Sequence, residues 1–309
     1  MPTIKEVFNE FSSAQKLVVA ILLWIGCLGF ATLLIQNIHQ LLDVHKVGND
    51  VSALNSYDIS IMRYTQILST ILGFLLPSML FGMLATARPL RYFRKIPDFD
   101  LKWLFFSVLL ILTIYPLVGF LAEINGKIQL PEAWSDLEKE LINLEKLAKD
   151  YVIVFMNNKH SSVFIINLFM IAIVPAICEE FFFRGVIQRV SYRLFGNFHL
   201  AILFSAFFFA FSHFEFYTFL PRIVLGLLLG YMYYYSGSLF MPIFTHFLNN
   251  AVAVIALYIN VLKGTPITMD TQGSVPIYVV FISTISFVGI YFFFVQSVLV
   301  FREKYRKKL

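Results

Sequence analysis

Eight apolar windows of roughly 20 residues, the length at which a helix crosses a bilayer, leave this chain little choice of architecture. They fall at 17–36, 65–87, 103–122, 162–190, 200–213, 217–235, 239–262 and 275–301. In hydrocarbon every backbone N–H and C=O must be satisfied within the protein, and a helix does so locally. Of the 309 residues, 59% are hydrophobic and only 14% charged, too apolar for an ordinary soluble domain. The expectation is an all-α, polytopic membrane protein of eight transmembrane helices, seven if one window is miscounted, around a buried polar cavity. The first window is longer than a signal-peptide core and no small-x-small pattern follows it, so it reads as a retained transmembrane helix.

The net charge of +5 would point to nucleic acid in a soluble protein. Here the basic residues sit in short loops and near the C-terminus, which makes anionic lipid headgroups the simpler partner and gives no sign of nucleic acid. Arg88, Arg91, Arg94, Lys95 and Lys102 lie in the 88–102 loop, Arg189 and Arg193 lie in the segment after Glu179 and Glu180, and Arg302, Lys304, Arg306, Lys307 and Lys308 form the tail. With eight alternating helices all three groups share one side. That side is expected to be cytoplasmic and to hold both termini, and the absence of eukaryotic sorting signals favours a bacterial cell (inner) membrane. Cys27 and Cys178 both fall within windows and offer neither a disulfide framework nor a cysteine metal site.

The chain divides by content into 1–160, with three transmembrane helices and an extramembrane helix; 161–262, with four transmembrane helices and the chemistry-bearing residues; and 263–309, the last span and a basic tail. The extramembrane helix is expected over Pro131–Asp150, where Trp134, Leu137, Leu141, Leu144 and Leu147 repeat at three and four residues. Ser135 and Glu138 fit a capping box. Such a helix lies at the interface or on the bundle, or acts as a lid over a substrate entrance.

Ionisable groups within the windows are the anomaly. Cys178-Glu179-Glu180-Phe181-Phe182-Phe183-Arg184 places two carboxylates and a guanidinium in an apolar span, where charges are costly and are functional by default. Successive helical residues point about 100° apart, so Glu179 and Glu180 face different ways. Glu180 and Arg184, one turn apart in acid-before-base order, can pair and organise a site. Glu179 then has no local counter-ion, and a carboxylate in an apolar cavity is a good proton acceptor for a bound water. Phe209 precedes His213 by one turn and can pack on its imidazole, leaving His213 able to hold or deprotonate the same water. His246 and Asn250 share a helix face and offer two donors converging on one point, as oxyanion stabilisation requires. Pro175, one turn before Glu179, can kink the helix. For Arg222, another intramembrane charge, Glu215 is the candidate partner.

Each of these features alone is compatible with a structural role. Together, Glu-Glu-x-x-x-Arg, Phe-x-x-x-His and His-x-x-x-Asn, in that order, resemble the motifs of the CPBP intramembrane proteases, which include type II CAAX prenyl endopeptidases and bacterial bacteriocin-processing or self-immunity proteins. The similarity spans about residues 162–255 and includes Arg184-Gly185-Val186-Ile187-Gln188 and Gly237-Ser238-Leu239. The resemblance implies an intramembrane endopeptidase acting on a membrane-associated or lipid-modified peptide. In it Glu179 and His213 would activate water, His246 and Asn250 would stabilise the oxyanion, and Glu180 and Arg184 would organise the site, with no cofactor. Two other readings stand beside it. A zinc protease would use Glu179, His213 and His246 as ligands, although His-Glu-x-x-His is absent. A non-catalytic peptide-binding immunity or transport protein would also keep carboxylates and histidines in the membrane, although no inverted repeat is visible. Nothing in the sequence fixes an oligomeric state.

Overall fold

A computed structural model of the chain describes residues 3–44, 54–93, 100–265 and 275–306. Secondary structure among them is helical: α1 (Ile4–Glu10), α2 (Ser13–Leu41), α3 (Ser56–Ala85), α4 (Pro89–Phe93), α5 (Lys102–Gly126), α6 (Ser135–Met156), α7 (Ser161–Phe195), α8 (Phe198–Phe211), α9 (Phe219–Ser236), α10 (Phe240–Lys263) and α11 (Ile277–Arg306). Seven of these are long and apolar enough to cross a membrane. The 200–213 window corresponds to α8, whose 14 residues rise only about 21 Å at 1.5 Å each. α8 nevertheless runs antiparallel along almost the whole of α9. Phe198 stacks on Tyr234 at 4.0 Å near one end, and Phe207 meets Phe219 edge-on at 5.4 Å near the other.

α3 begins nine residues before its hydropathy window because its first turns carry buried charge. Asn55 caps the helix, accepting from the N–H groups of Tyr57 and Asp58. Arg63 then donates from Nε to Asn167 Oδ1 at 3.0 Å and from an Nη to the Phe155 carbonyl at 2.7 Å, joining α3 to α6 and α7. α7 continues to Phe195 without a break, which places Glu179 in its middle rather than at its end.

The basic groups gather at one end of the bundle. Tyr92 of α4 lies under the Arg189 guanidinium at 4.3 Å and accepts its hydrogen bond through the main-chain carbonyl. Phe8, Lys16, Tyr92 and Arg193 line one cleft, and Lys102 and Lys304 line another. The described parts of both chain ends therefore lie at the same end of the molecule. Arg94, Lys95, Lys307 and Lys308 lie outside the described residues.

At the opposite end α6 differs from expectation. It has no capping box: a 3-10 turn, Glu132–Trp134, precedes it, so Ser135 is already helical and Trp134 occupies the cap position. Glu138 instead accepts from the Leu130 N–H and the Tyr217 hydroxyl, both at 3.1 Å, while Glu145 accepts from the Tyr217 N–H at 3.1 Å. Acidic side chains on the apolar face thus fasten α6 to the turn after α8. Leu137 and Leu144, flanking them, point outward at 51% and 44% exposure, as suits a helix lying at the membrane interface.

Candidate active site

α7 changes pitch around its charges. Val174–Phe182 is α-helical between two wider π turns, Phe169–Ile173 and Phe183–Gln188, a feature that often marks functional helices. Pro175 supplies part of the cause. It has no N–H to give the Ile171 carbonyl four residues earlier, and the Asn250 side chain donates to that carbonyl at 3.2 Å instead. Asn250 Oδ1 in turn accepts from Asn249 Nδ2 at 3.1 Å, which fixes the orientation of the amide.

Glu180 is the hub of the buried cluster. Its Oε1 accepts from Arg184 at 2.7 Å and lies 2.9 Å from His246 Nδ1. Both members of the Glu180–Arg184 pair are 0% exposed. The pairing expected one turn apart is thus present, and it extends to His246. Glu179 faces the other way: its Oε2 is 3.9 Å from His246 Nε2, beyond hydrogen-bonding distance, and makes no hydrogen bond with any described residue. His246 therefore stands between the two glutamates, addressing each with a different nitrogen.

Phe209 ties in the remaining histidine. Its ring meets His213 at 4.9 Å and His246 at 5.7 Å, both edge-on, and lies 5.0 Å from the Arg184 guanidinium carbon. His213 Nδ1 is 2.8 Å from the Phe209 carbonyl. A carbonyl can only accept, so Nδ1 carries the proton and the neutral ring presents Nε2 as an acceptor. Arg222 pairs with Glu215 at 2.6 Å, the partner expected from sequence.

Two positions of the site went unread in the sequence. Arg184 donates to the Gly226 carbonyl and Gln188 to the Gly230 carbonyl, each at 3.0 Å. Side chains one turn apart on α7 thus bind carbonyls one turn apart on α9. The glycines make this possible, since a Cβ at Gly226 would sit 2.9 Å from Ala206 Cα on α8 and one at Gly230 would sit 2.8 Å from Ile202 Cγ2. The signal was available as Gly226-Leu-Leu-Leu-Gly230, a small-xxx-small pattern that lets membrane helices approach closely.

Among the described residues no group of three or more His, Cys, Asp and Glu side chains is placed to hold a metal ion. What the cluster does offer is a carboxylate with an open oxygen, a second carboxylate held through one oxygen by Arg184 and His246, and amide and imidazole groups on α10. These are the elements of acid–base hydrolysis inside a membrane.

The comparison with known families agrees with that class. Residues 161–252 match the family model described as Rce1-like, type II CAAX prenyl endopeptidase Rce1-like. The matched segment contains every residue of the cluster from Glu179 to Asn250, and the match supports the CPBP, or CAAX-protease, resemblance of this part of the chain. No curated protein and no solved structure matches the chain.

Proposed function

We propose that this CAAX-type membrane endopeptidase cleaves its peptide with a water activated by Glu179. The observation that carries the reading is the inequality of the two glutamates: Glu180 is held through its Oε1 by both Arg184 and His246, its Oε2 making no further hydrogen bond, whereas Glu179 Oε2 has no hydrogen bond to any described residue. In the reaction, water attacks the carbonyl carbon and passes a proton to Glu179, with His213 Nε2 accepting from the same water. With Nδ1 donating to Glu180, His246 presents a second N–H from its charged form, and Asn250 has its other amide proton to give. Both would face the tetrahedral oxyanion. Two carboxylates, one guanidinium and one imidazolium sum to zero, so the cluster is neutral in this state. Collapse breaks the C–N bond and Glu179 returns its proton to the leaving nitrogen, giving a carboxylic acid and an amine; the acid's remaining water-derived proton then passes to the amine, so that a carboxylate and an ammonium leave. The substrate is a membrane-associated or lipid-modified peptide reaching the site from within the bilayer.

The test is cleavage of a membrane-anchored peptide by purified protein. Glu179→Gln keeps the shape of the side chain and removes the base, so turnover falls by about 10²–10⁴-fold while the protein stays folded. Full turnover in that variant would sink the mechanism. Exhaustive chelation is expected to leave wild-type activity unchanged; a loss restored by added zinc would transfer the chemistry to a metal.

A further inference from the structure

A second built site lies at the basic end. A cavity of about 310 Å³ opens between α7, α8, α9 and α11, with Arg189 and Arg302 as its cations and Tyr192, Tyr233, Tyr234 and Gln188 among its walls. Gln188 stands eight residues beyond Glu180, roughly 12 Å along the helix at 1.5 Å per residue, so the mechanism does not use this space. Among the described residues that line it, none is acidic.

Three polar atoms of its lining, Gln188 Oε1, the Tyr233 hydroxyl and Arg302 Nε, make no hydrogen bond with any described residue. Gln188 is 5% exposed. Its Nε2 donates to the Gly230 carbonyl at 3.0 Å, which fixes the amide orientation, and leaves Oε1 buried with no hydrogen bond to any described residue. Arg302 Nε is likewise buried and unpartnered. Buried donors and acceptors are seldom left so in native proteins. Arg189 is held in position by the ring and carbonyl of Tyr92, so its guanidinium is already placed beside the cavity. A ligand satisfying the set carries an anionic oxygen for the guanidinium groups and a hydroxyl for Gln188 Oε1.

Depth indicates the source. Tyrosines and arginines at the ends of α7, α9 and α11 mark the level where lipid headgroups lie, and Leu299 and Phe198 give the cavity an apolar wall. We propose that this cavity binds the phosphodiester of an anionic, hydroxyl-bearing phospholipid headgroup, independently of whether the chain cleaves peptides.

Phosphatidylglycerol, phosphatidylcholine and inorganic phosphate are the probes, titrated into purified protein while thermal unfolding and lipid adducts in native mass spectra are recorded. Phosphatidylglycerol is expected to raise the melting temperature saturably, phosphatidylcholine much less. In Arg302→Gln the apparent affinity should fall by about tenfold or more, as loss of a charge-assisted hydrogen bond implies. Arg302→Lys, which keeps the charge and so protects the fold, should fall in between. Equal protection by inorganic phosphate, lost in the same variants, would keep the phosphate site and move its source to solution. Phosphatidylglycerol acting alike on wild type and both variants, or no better than phosphatidylcholine, would overturn the proposal.

Discussion

Two neighbouring glutamates in one buried cluster carry opposite burdens, and their substitution should separate stability from activity. Arg184 is fully buried, pairs with Glu180 at 2.7 Å and binds the Gly226 carbonyl. Removing one partner of such a pair leaves a buried charge uncompensated, which costs about 3–5 kcal/mol. Arg184→Met is therefore expected to lower the melting temperature in detergent by many degrees. Glu179→Gln removes a carboxylate whose Oε2 has no hydrogen bond, so the same measurement should show no loss, or a gain, despite dead chemistry. Comparable destabilisation by both substitutions would mean that Glu179 is structural. This division was legible in the sequence because helical geometry alone sends Glu180 toward Arg184 and Glu179 away from it. The bond from Glu180 to His246 was not, since it joins residues 66 apart in the chain and depends on how α10 packs against α7. Nor was the role of Asn250 beneath Pro175, although the missing N–H of a proline is a signal that some donor must come from elsewhere.

At the scale of the helix, the site depends on how closely α8 and α9 approach. A methyl group at Gly226 would lie 2.9 Å from both Cα and Cβ of Ala206, and backbone cannot rotate aside as a long side chain can. Gly226→Ala should therefore push the helices apart, cost about 1–3 kcal/mol, and withdraw the Gly226 carbonyl from Arg184. Activity falls although no residue of the proposed chemistry has changed. Gly29→Ala on α2, where a new Cβ meets nothing within 4 Å, is the matched control and should leave both thermal stability and cleavage unaltered. If the two variants behave alike, close packing of α8 on α9 is not what positions Arg184. Hydropathy located the helices well where they are apolar throughout. It failed at the start of α3, where buried Arg63 lowers the average although Asn167 and the Phe155 carbonyl satisfy it. It failed again at α6, where a local capping pattern lost to tertiary bonds, Glu138 reaching Leu130 and Tyr217.

For the whole molecule the outcome turns on whether α8 crosses the membrane. By length alone it does not, since 14 residues span about 21 Å against roughly 30 Å of hydrocarbon. Its contacts argue otherwise: antiparallel packing from Tyr234 to Phe219 makes it the companion of α9 over nearly the full length of that helix. Eight crossings put both chain ends on one side, consistent with the C-terminal end of α7 sharing one cleft with Phe8 and Lys16 and another with Leu299 and Arg302. The excess of Lys and Arg there predicts that this side is cytoplasmic. The native thiols, Cys27 and Cys178, are 8% and 3% exposed, so they give little background to a membrane-impermeant maleimide. In intact cells, Lys139→Cys on α6 should react freely, whereas Lys5→Cys and Lys304→Cys should react only after permeabilisation. Opposite behaviour at positions 5 and 304 would show that α8 fails to cross, and external reaction at both would invert the orientation. Either result would also relocate the basic cavity around Arg302 relative to the leaflet whose anionic lipids it is proposed to bind.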